Sequence, residues 1–114
     1  MEKVQRILDE MLQQAARRGA GRISAEIADL PDETRIVVQD DGARHNQAEQ
    51  QDLLAQLNSG RRDELETYYG VLLGESHAGT SMNMLGMMVD RAELEVSVTN
   101  GNRLTVYRRK HGDK

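Results

Sequence analysis

Three short segments of the sequence carry residue types that could do chemistry, and the first of them ends a strand pattern. Asp40 is followed by Asp41 and Gly42. Asp40 shares its parity with Ile36 and Val38, so its carboxylate continues the buried face of that strand. A carboxylate there can accept a hydrogen bond from an amino group, and Gly42 would allow close approach to the backbone. The competing interpretation is an ordinary turn, because Asp-Asp-Gly is common turn sequence.

The second segment pairs Glu10 with Gln14. These residues are one helical turn apart and therefore lie on one face of a helix. Such a pair could activate a water molecule and hold a metal-bound phosphate. The competing interpretation is a solvated helix edge.

The third segment opens a methionine-rich helix. Thr80 or Ser81, after Gly79, could cap that helix, and its first N–H groups would then form an anion site. A helical wheel predicts an inner face and an outer face: Met82, Met84, Leu85, Met88 and Val89 within, and Asn83, Gly86, Met87 and Asp90 outside. The competing interpretation is a core helix, because methionine fills irregular gaps and the chain has no Phe or Trp.

The elements that position these segments follow from hydrophobic periodicity and turn residues. Spacings of three and four predict a helix over residues 1–18, and alternation predicts a hairpin over 21–42 that turns at Pro31-Asp32. A lid-like helical middle follows over 43–78, then a helix and a C-terminal hairpin over 79–110 that turns at Asn100-Gly101. The prediction is a single α+β domain, a two-layer sandwich with a mostly antiparallel sheet of about four strands and helices on one face.

Composition excludes several classes of function. The absence of cysteine rules out disulfides and thiolate metal sites and favours a cytoplasmic location. No apolar run is long enough to span a membrane, and a net charge of -4 argues against a nucleic-acid partner. His45, His77 and His111 fall in predicted loops or the tail without the spacing of metal ligands, so a metal enzyme is not favoured.

Taken in order, the three segments resemble the motifs of the GHKL ATP-binding family, which includes sensor histidine kinases and anti-sigma-factor serine kinases. Residues 10–15, EMLQQA, resemble its Glu-x-x-x-Asn-Ala motif, and residues 40–44, DDGAR, keep the Asp and first Gly of Asp-x-Gly-x-Gly. Residues 79–84, GTSMNM, keep the first Gly of Gly-x-Gly-Leu-Gly-Leu. The remainder is similar to the end of anti-sigma-factor kinases, so the resemblance covers about Val4 to Lys110.

The resemblance implies a histidine-kinase-like ATPase fold, truncated at its N-terminus because the chain starts at the Glu-bearing helix. It also implies ATP and Mg²⁺ as cofactors, with adenine recognised by Asp40 beside Gly42. Glu10 would be the activating carboxylate and Gln14 would take the position of the magnesium ligand. The residues beside the phosphates would be Gly79, Thr80 and Ser81.

The departures from the family pattern all touch the nucleotide. The extra methylene of Gln14 displaces its amide oxygen, and metal sites tolerate displacement poorly. Arg44 replaces a glycine that needs a special backbone conformation. Ser81 and Asn83 add side chains where bare backbone should meet phosphate. The residues that support the fold are kept, and those that support phosphate binding are altered.

Three hypotheses follow from this pattern. The favoured one is a bacterial signal-transduction module that acts through a protein partner and has weakened or lost nucleotide binding. The alternative is a working ATP-binding domain of a serine or histidine kinase, an ATP-dependent protein kinase. A third is a structural or dimerisation domain of similar topology without family descent. None of them involves nucleic acid or a membrane, and self-association as a homodimer could use an uncovered edge strand of the sheet.

Overall fold

The computed structural model describes residues 2–59 and 81–110. Its elements are α1 (Glu2–Arg17), β1 (Ile23–Asp29), β2 (Glu33–Asp40), α2 (Gln47–Leu57), α3 (Ser81–Met88), β3 (Arg91–Ser97) and β4 (Gly101–Arg109). Most of the predicted helical middle, together with Gly79 and Thr80, lies outside the described residues. Within the two described ranges, none of the helices has the length and apolarity needed to cross a membrane.

The four strands form one antiparallel sheet in the order β1-β2-β4-β3. Leu30 N donates to Glu33 O at 2.9 Å and closes the first hairpin at the predicted Pro31-Asp32 turn. The second hairpin pairs β3 with β4, and β4 lies beside β2, so the two hairpins meet at the centre of the sheet. The α+β class and the mostly antiparallel four-stranded sheet are therefore confirmed.

The three helices cover one face of the sheet unevenly. Helix α1 packs on β2, α2 packs on β3, and both contact α3. Their apolar faces and the inward side chains of the sheet form the core: Val4, Ile7, Met11, Ala15, Ile36, Val38, Leu53, Leu57, Leu85, Met88, Val89, Ala92, Leu104 and Val106. Burial of each large aliphatic side chain contributes about 1.5–3 kcal/mol, so aliphatic residues and methionine supply this core without Phe or Trp.

The outer strand β1 is left uncovered by this layer. Ile23 and Ile27 are each 39% exposed, and Ala25 between them is also exposed. Their alternation predicted a strand correctly, because β1 pairs with β2 over its whole length. The isoleucine side chains of β1 are nevertheless not buried, because α1 packs on β2 and does not extend over β1.

Helix α1 ends at Arg17, within one residue of the predicted bound at residue 18. Gly19 has a φ of +80°, a left-handed conformation that glycine adopts without steric cost. Gly19 N donates to Ala16 O at 3.0 Å and Ala20 N donates to Ala15 O at 3.3 Å. These two bonds form a Schellman motif, which satisfies carbonyl groups at the end of the helix. The chain then turns directly toward β1.

Helix α2 begins at a capping box. Asn46 Oδ1 accepts from Glu49 N at 2.8 Å, and Glu49 Oε1 accepts from Asn46 N at 2.9 Å. The hydrogen bond from the Asn46 backbone is the main reason why the pKa of Glu49 lies below its ordinary value. This pair explains why the helix starts at Gln47.

Helix α3 confirms part of the predicted wheel and corrects another part. Leu85, Met88 and Val89 are fully buried, as predicted. The outer-face position predicted for Gly86 is wrong, because this residue is buried too. A Cβ atom at Gly86 would lie 2.7 Å from the Gln56 carbonyl oxygen. Helix α2 therefore packs directly against this face of α3, which periodicity within α3 alone could not show.

Candidate functional site

Asp40 lies at the end of β2 with its carboxylate on the helix-covered side of the sheet, as parity predicted. It is 8% exposed. Its Oδ1 accepts from Gly42 N at 2.8 Å and from Asn102 Nδ2 at 3.1 Å. Both donors belong to the protein itself, so this carboxylate already holds two chain segments together.

Asn102 is the residue that sequence reasoning missed. Its Nδ2 also donates to Ala43 O at 3.0 Å, and its Oδ1 accepts from His45 N at 3.1 Å. It is 2% exposed and lies opposite Asp40 in the β2–β4 register. A signal was present, because Asn102 is a polar residue at an inward-facing position of β4, in parity with Leu104.

The backbone around Gly42 is packed against the end of α1. A Cβ at Gly42 would lie 2.9 Å from Arg18 O, 3.1 Å from Asp40 Oδ1 and 3.2 Å from Ala20 N. Ala43 N donates to Arg18 O at 2.9 Å and fixes this approach. The close approach that Gly42 permits is thus an approach to protein atoms of its own chain.

Gly101 is required on the other side of Asp40. Its φ is +83°, and a Cβ there would overlap the Asp40 carbonyl oxygen. The β3–β4 turn occupies Val98 to Asn100, with Asn100 N donating to Ser97 Oγ at 2.8 Å. The Asn-Gly prediction located the hairpin correctly, but only the glycine adopts a positive φ, since no described non-glycine residue does.

Arg44, at the position of a family glycine, has an ordinary backbone conformation and a structural side chain. Its guanidinium donates to the carbonyl oxygens of Gly42 at 2.7 Å, Ser97 at 2.8 Å and Val98 at 3.0 Å. It therefore ties the loop after β2 to the β3–β4 turn. The special backbone conformation that a glycine would allow at this position is not used.

Asp41 holds the start of β1. Its Oδ1 accepts from Gly21 N at 2.7 Å and from Arg22 N at 2.9 Å. The hydrogen bond from Arg22 N, followed by that from Gly21 N, lowers the pKa of the Asp41 carboxyl below its ordinary value.

Asp40 and Asp41 border an open depression of about 640 Å³ at this end of the sheet. Its other lining residues come from the ends of β1 and β2 and from the β3–β4 turn.

His45 lies in the loop before α2, as predicted, but it is buried. Burial, and secondarily the positive charge of Arg18, lower the pKa of His45 below its ordinary value. Across the described ranges, no three or more His, Asp or Glu side chains are grouped so that they could hold a metal ion. The described part of the chain thus offers no carboxylate–histidine metal centre.

Glu10 and Gln14 share a face of α1, but Glu10 does not lie on a solvated edge. It is only 4% exposed, so that competing interpretation is wrong. Its Oε1 is buried and accepts no hydrogen bond from any described residue. No described hydrogen bond joins either residue to Asp40.

Of the three residues predicted to lie beside the phosphates, Ser81 is the first residue of α3. Gly79 and Thr80 lie outside the described ranges.

Comparison with known proteins identifies no family for this chain. A scan against models of protein families finds no match, and no curated protein matches the sequence.

Proposed function

We propose that this protein is a regulatory module of signal transduction that acts by binding a protein partner. In this proposal the module is related to the ATP-binding domain of histidine kinases and anti-sigma factors, whose motifs its sequence resembles, and its nucleotide binding is weakened or lost. The observation that carries the proposal is the use of Asp40 Oδ1 by two internal donors, Gly42 N and Asn102 Nδ2.

An adenine-recognising carboxylate must offer its oxygen to an amino group of the base. A base that displaced Asn102 or Gly42 from Oδ1 would leave a buried donor unpaired, at a cost of about 1–3 kcal/mol. The packing of Gly42 against Arg18 O and the bond from Arg44 to the Gly42 carbonyl add to that cost. These features stabilise the fold and disfavour a nucleotide.

A second candidate function rests on Glu10. A buried carboxylate oxygen without a donor is costly, and such groups in a native structure call for an explanation. In a working ATP-dependent protein kinase, Glu10 would be the activating carboxylate and Gln14 would lie beside Mg²⁺. Asp40 Oδ2, which accepts no hydrogen bond from the described residues, would remain for adenine.

Thermal unfolding with and without millimolar Mg-ATP or Mg-ADP separates the two functions. We expect no change in melting temperature with either nucleotide. A nucleotide present at about 100 times its dissociation constant would stabilise the fold by about 2.7 kcal/mol, a rise on the order of 10 °C. Asp40→Asn tests the site, and Asp41→Asn is the matched control because Asp41 is the exposed neighbour.

A rise of that size, lost in Asp40→Asn and kept in Asp41→Asn, would contradict the proposal and favour the kinase. Without nucleotide use, we expect Asp40→Asn to retain signalling function wherever its fold is retained.

A further inference from the structure

The outer edge of β1 presents backbone groups that no described residue binds. Arg22 O accepts from Asp41 N at 3.2 Å and Leu30 N donates to Glu33 O at 2.9 Å, at the two ends of the β1–β2 ladder. Hydrogen-bonded pairs alternate with non-bonded pairs in an antiparallel ladder. The even-numbered residues of β1 therefore bond to β2, and the odd-numbered ones direct N–H and C=O away from the sheet: Ile23, Ala25, Ile27 and Asp29.

Three of these residues also carry the exposed apolar side chains of the strand. Ile23 and Ile27 are 39% exposed, and Ala25 is exposed between them. Exposed edge strands are commonly protected by proline, lysine or a bulge. The seven residues of β1 contain neither proline nor lysine, and their pairing register with β2 is uninterrupted. Of the two charged residues of β1, Glu26 lies on the other face from the isoleucines and Asp29 pairs with Lys110 at the end of the strand. Backbone and side chains thus offer one continuous binding edge.

We propose that β1 pairs antiparallel with β1 of a second copy of this chain, about a two-fold axis at Ala25. In this register Ala25 lies opposite its own copy, and Ile23 lies opposite Ile27. All three pairs join outward-facing backbone groups, which gives about six backbone hydrogen bonds. On the other face, Glu26 lies opposite Ser24.

Each of the neighbouring two-fold registers pairs the charges, the backbone groups or the isoleucines less well. An axis at Glu26 would place two carboxylates directly opposite each other, which is destabilising. An axis at Ile27 would place Pro31, which has no N–H, opposite Ile23. An axis at Ile23 would extend past the start of the strand and leave Ile27 without a strand residue opposite. An axis at Ser24 would place Arg22 opposite Glu26 but Ile27 opposite Gly21, before the strand begins. Of these five registers, only the one about Ala25 places both isoleucines opposite an isoleucine, and this favours a second copy over an unrelated strand.

The two-fold axis can be tested with a single cysteine, because the chain has none of its own. Directly opposed residues in a hydrogen-bonded pair have Cα atoms about 5.5 Å apart, within the range that a disulfide spans. We expect Ala25→Cys to form a disulfide-linked dimer under mild oxidation at least about tenfold faster than Val98→Cys. Val98 is the matched control for random collision because it is 92% exposed on the β3–β4 turn.

A second variant tests the edge without a cross-link. Ala25→Pro removes an N–H that points away from the sheet, so the β1–β2 ladder keeps its hydrogen bonds. Sedimentation velocity over a range of concentrations should show reversible dimers of the wild type and only monomers of Ala25→Pro, at a similar melting temperature. Strand-edge pairing buries little area, so rapid exchange between monomer and dimer is expected.

Three results would overturn the proposal. One is a wild type that stays monomeric at every concentration. Another is an equal rate of cross-linking through positions 25 and 98. The third is a dimer that persists in folded Ala25→Pro, which would place the contact on another surface or on a different strand.

Discussion

The two edges of the sheet are built in opposite ways. At the β3 edge, Asn58 Oδ1 accepts from Ala92 N at 2.9 Å and Asn58 Nδ2 donates to Ala92 O at 3.2 Å. One side-chain amide thus occupies both outward backbone groups of Ala92, as a neighbouring strand would. At the β1 edge, no described side chain does the same for Ala25.

The difference follows from where each helix ends. Helix α2 packs on β3 and ends at Leu57, so the next residue, Asn58, reaches the strand edge. Helix α1 lies over β2 and ends at Arg17, and after Gly19 the chain turns straight into β1. Within residues 2–59 and 81–110, the displacement of the helix layer toward β3 closes that edge of the sheet and leaves the β1 edge without a cover. We therefore expect substitutions at the β3 edge to lower the stability of the monomer, and substitutions at the β1 edge to affect mainly the pairing of two copies.

The largest expected contrast is between the covered and uncovered apolar side chains. Met88→Ala should lower the free energy of unfolding by about 2–5 kcal/mol, because Met88 is fully buried and truncation leaves a cavity. Ile27→Ala should cost less, about 1 kcal/mol, because Ile27 is already 39% exposed and its truncation leaves no enclosed cavity. Chemical denaturation of both variants measures the two costs. A larger cost for Ile27→Ala would show that the β1 face is covered in solution.

A smaller effect is expected from opening the closed edge. Asn58→Ala should lower the free energy of unfolding by about 1–3 kcal/mol, because the backbone of Ala92 loses both hydrogen bonds. Ser59→Ala is the matched control, since the Ser59 hydroxyl bonds only to Gln56 O at the end of the same helix. Denaturation midpoints give the comparison. Equal costs for the two variants would mean that the amide bridge contributes nothing specific to the β3 edge.

The smallest expected effect is a loss of local stability at the start of β1 when the pH is lowered. Asp41 has a lowered folded-state pKa, so the stability it contributes is present above its ordinary value of 3.8 and is lost as the pH falls through the folded pKa. The amide bridge of Asn58 carries no titrating group. Between about pH 5 and about pH 2, amide exchange at Arg22 should therefore accelerate relative to exchange at Ala92.

Asp41→Asn is the control for the acid response, since it cannot titrate at this position. The ratio of the two exchange rates should change less with pH in this variant. An unchanged ratio in the wild type would mean that the Asp41 carboxylate does not hold the start of β1.

Local rules explain what the sequence predicted well. The ends of α1 and α2 depend on Gly19 and on the pair Asn46 and Glu49, all within a few residues of the helix ends they define. The burial of Asp40 follows from the alternation of a single strand. The helix ends, the hairpins and the inward direction of Asp40 could therefore be predicted from the sequence without knowing how the elements pack.

The features that the sequence did not predict depend on contacts between elements that are far apart in the chain. Asn102 and Asp40 are 62 positions apart, and the carbonyl groups bound by Arg44 at Ser97 and Val98 are 53 and 54 positions away. The burial of Glu10 likewise depends on the elements that pack against α1, which include β2 and α3. A pattern within one element specifies a face but not its neighbour, so the internal donors to Asp40 could not be predicted from its motif.

The contact between Gly86 and Gln56 has a consequence for how this sequence can diverge. At position 86 any side chain would collide with the Gln56 carbonyl, so glycine is the only residue that fits. Position 56 contributes a main-chain oxygen, which every amino acid supplies, and its own side chain is exposed. Two positions in direct contact would therefore show no correlated substitutions: one would stay fixed while the other varied with helix propensity alone.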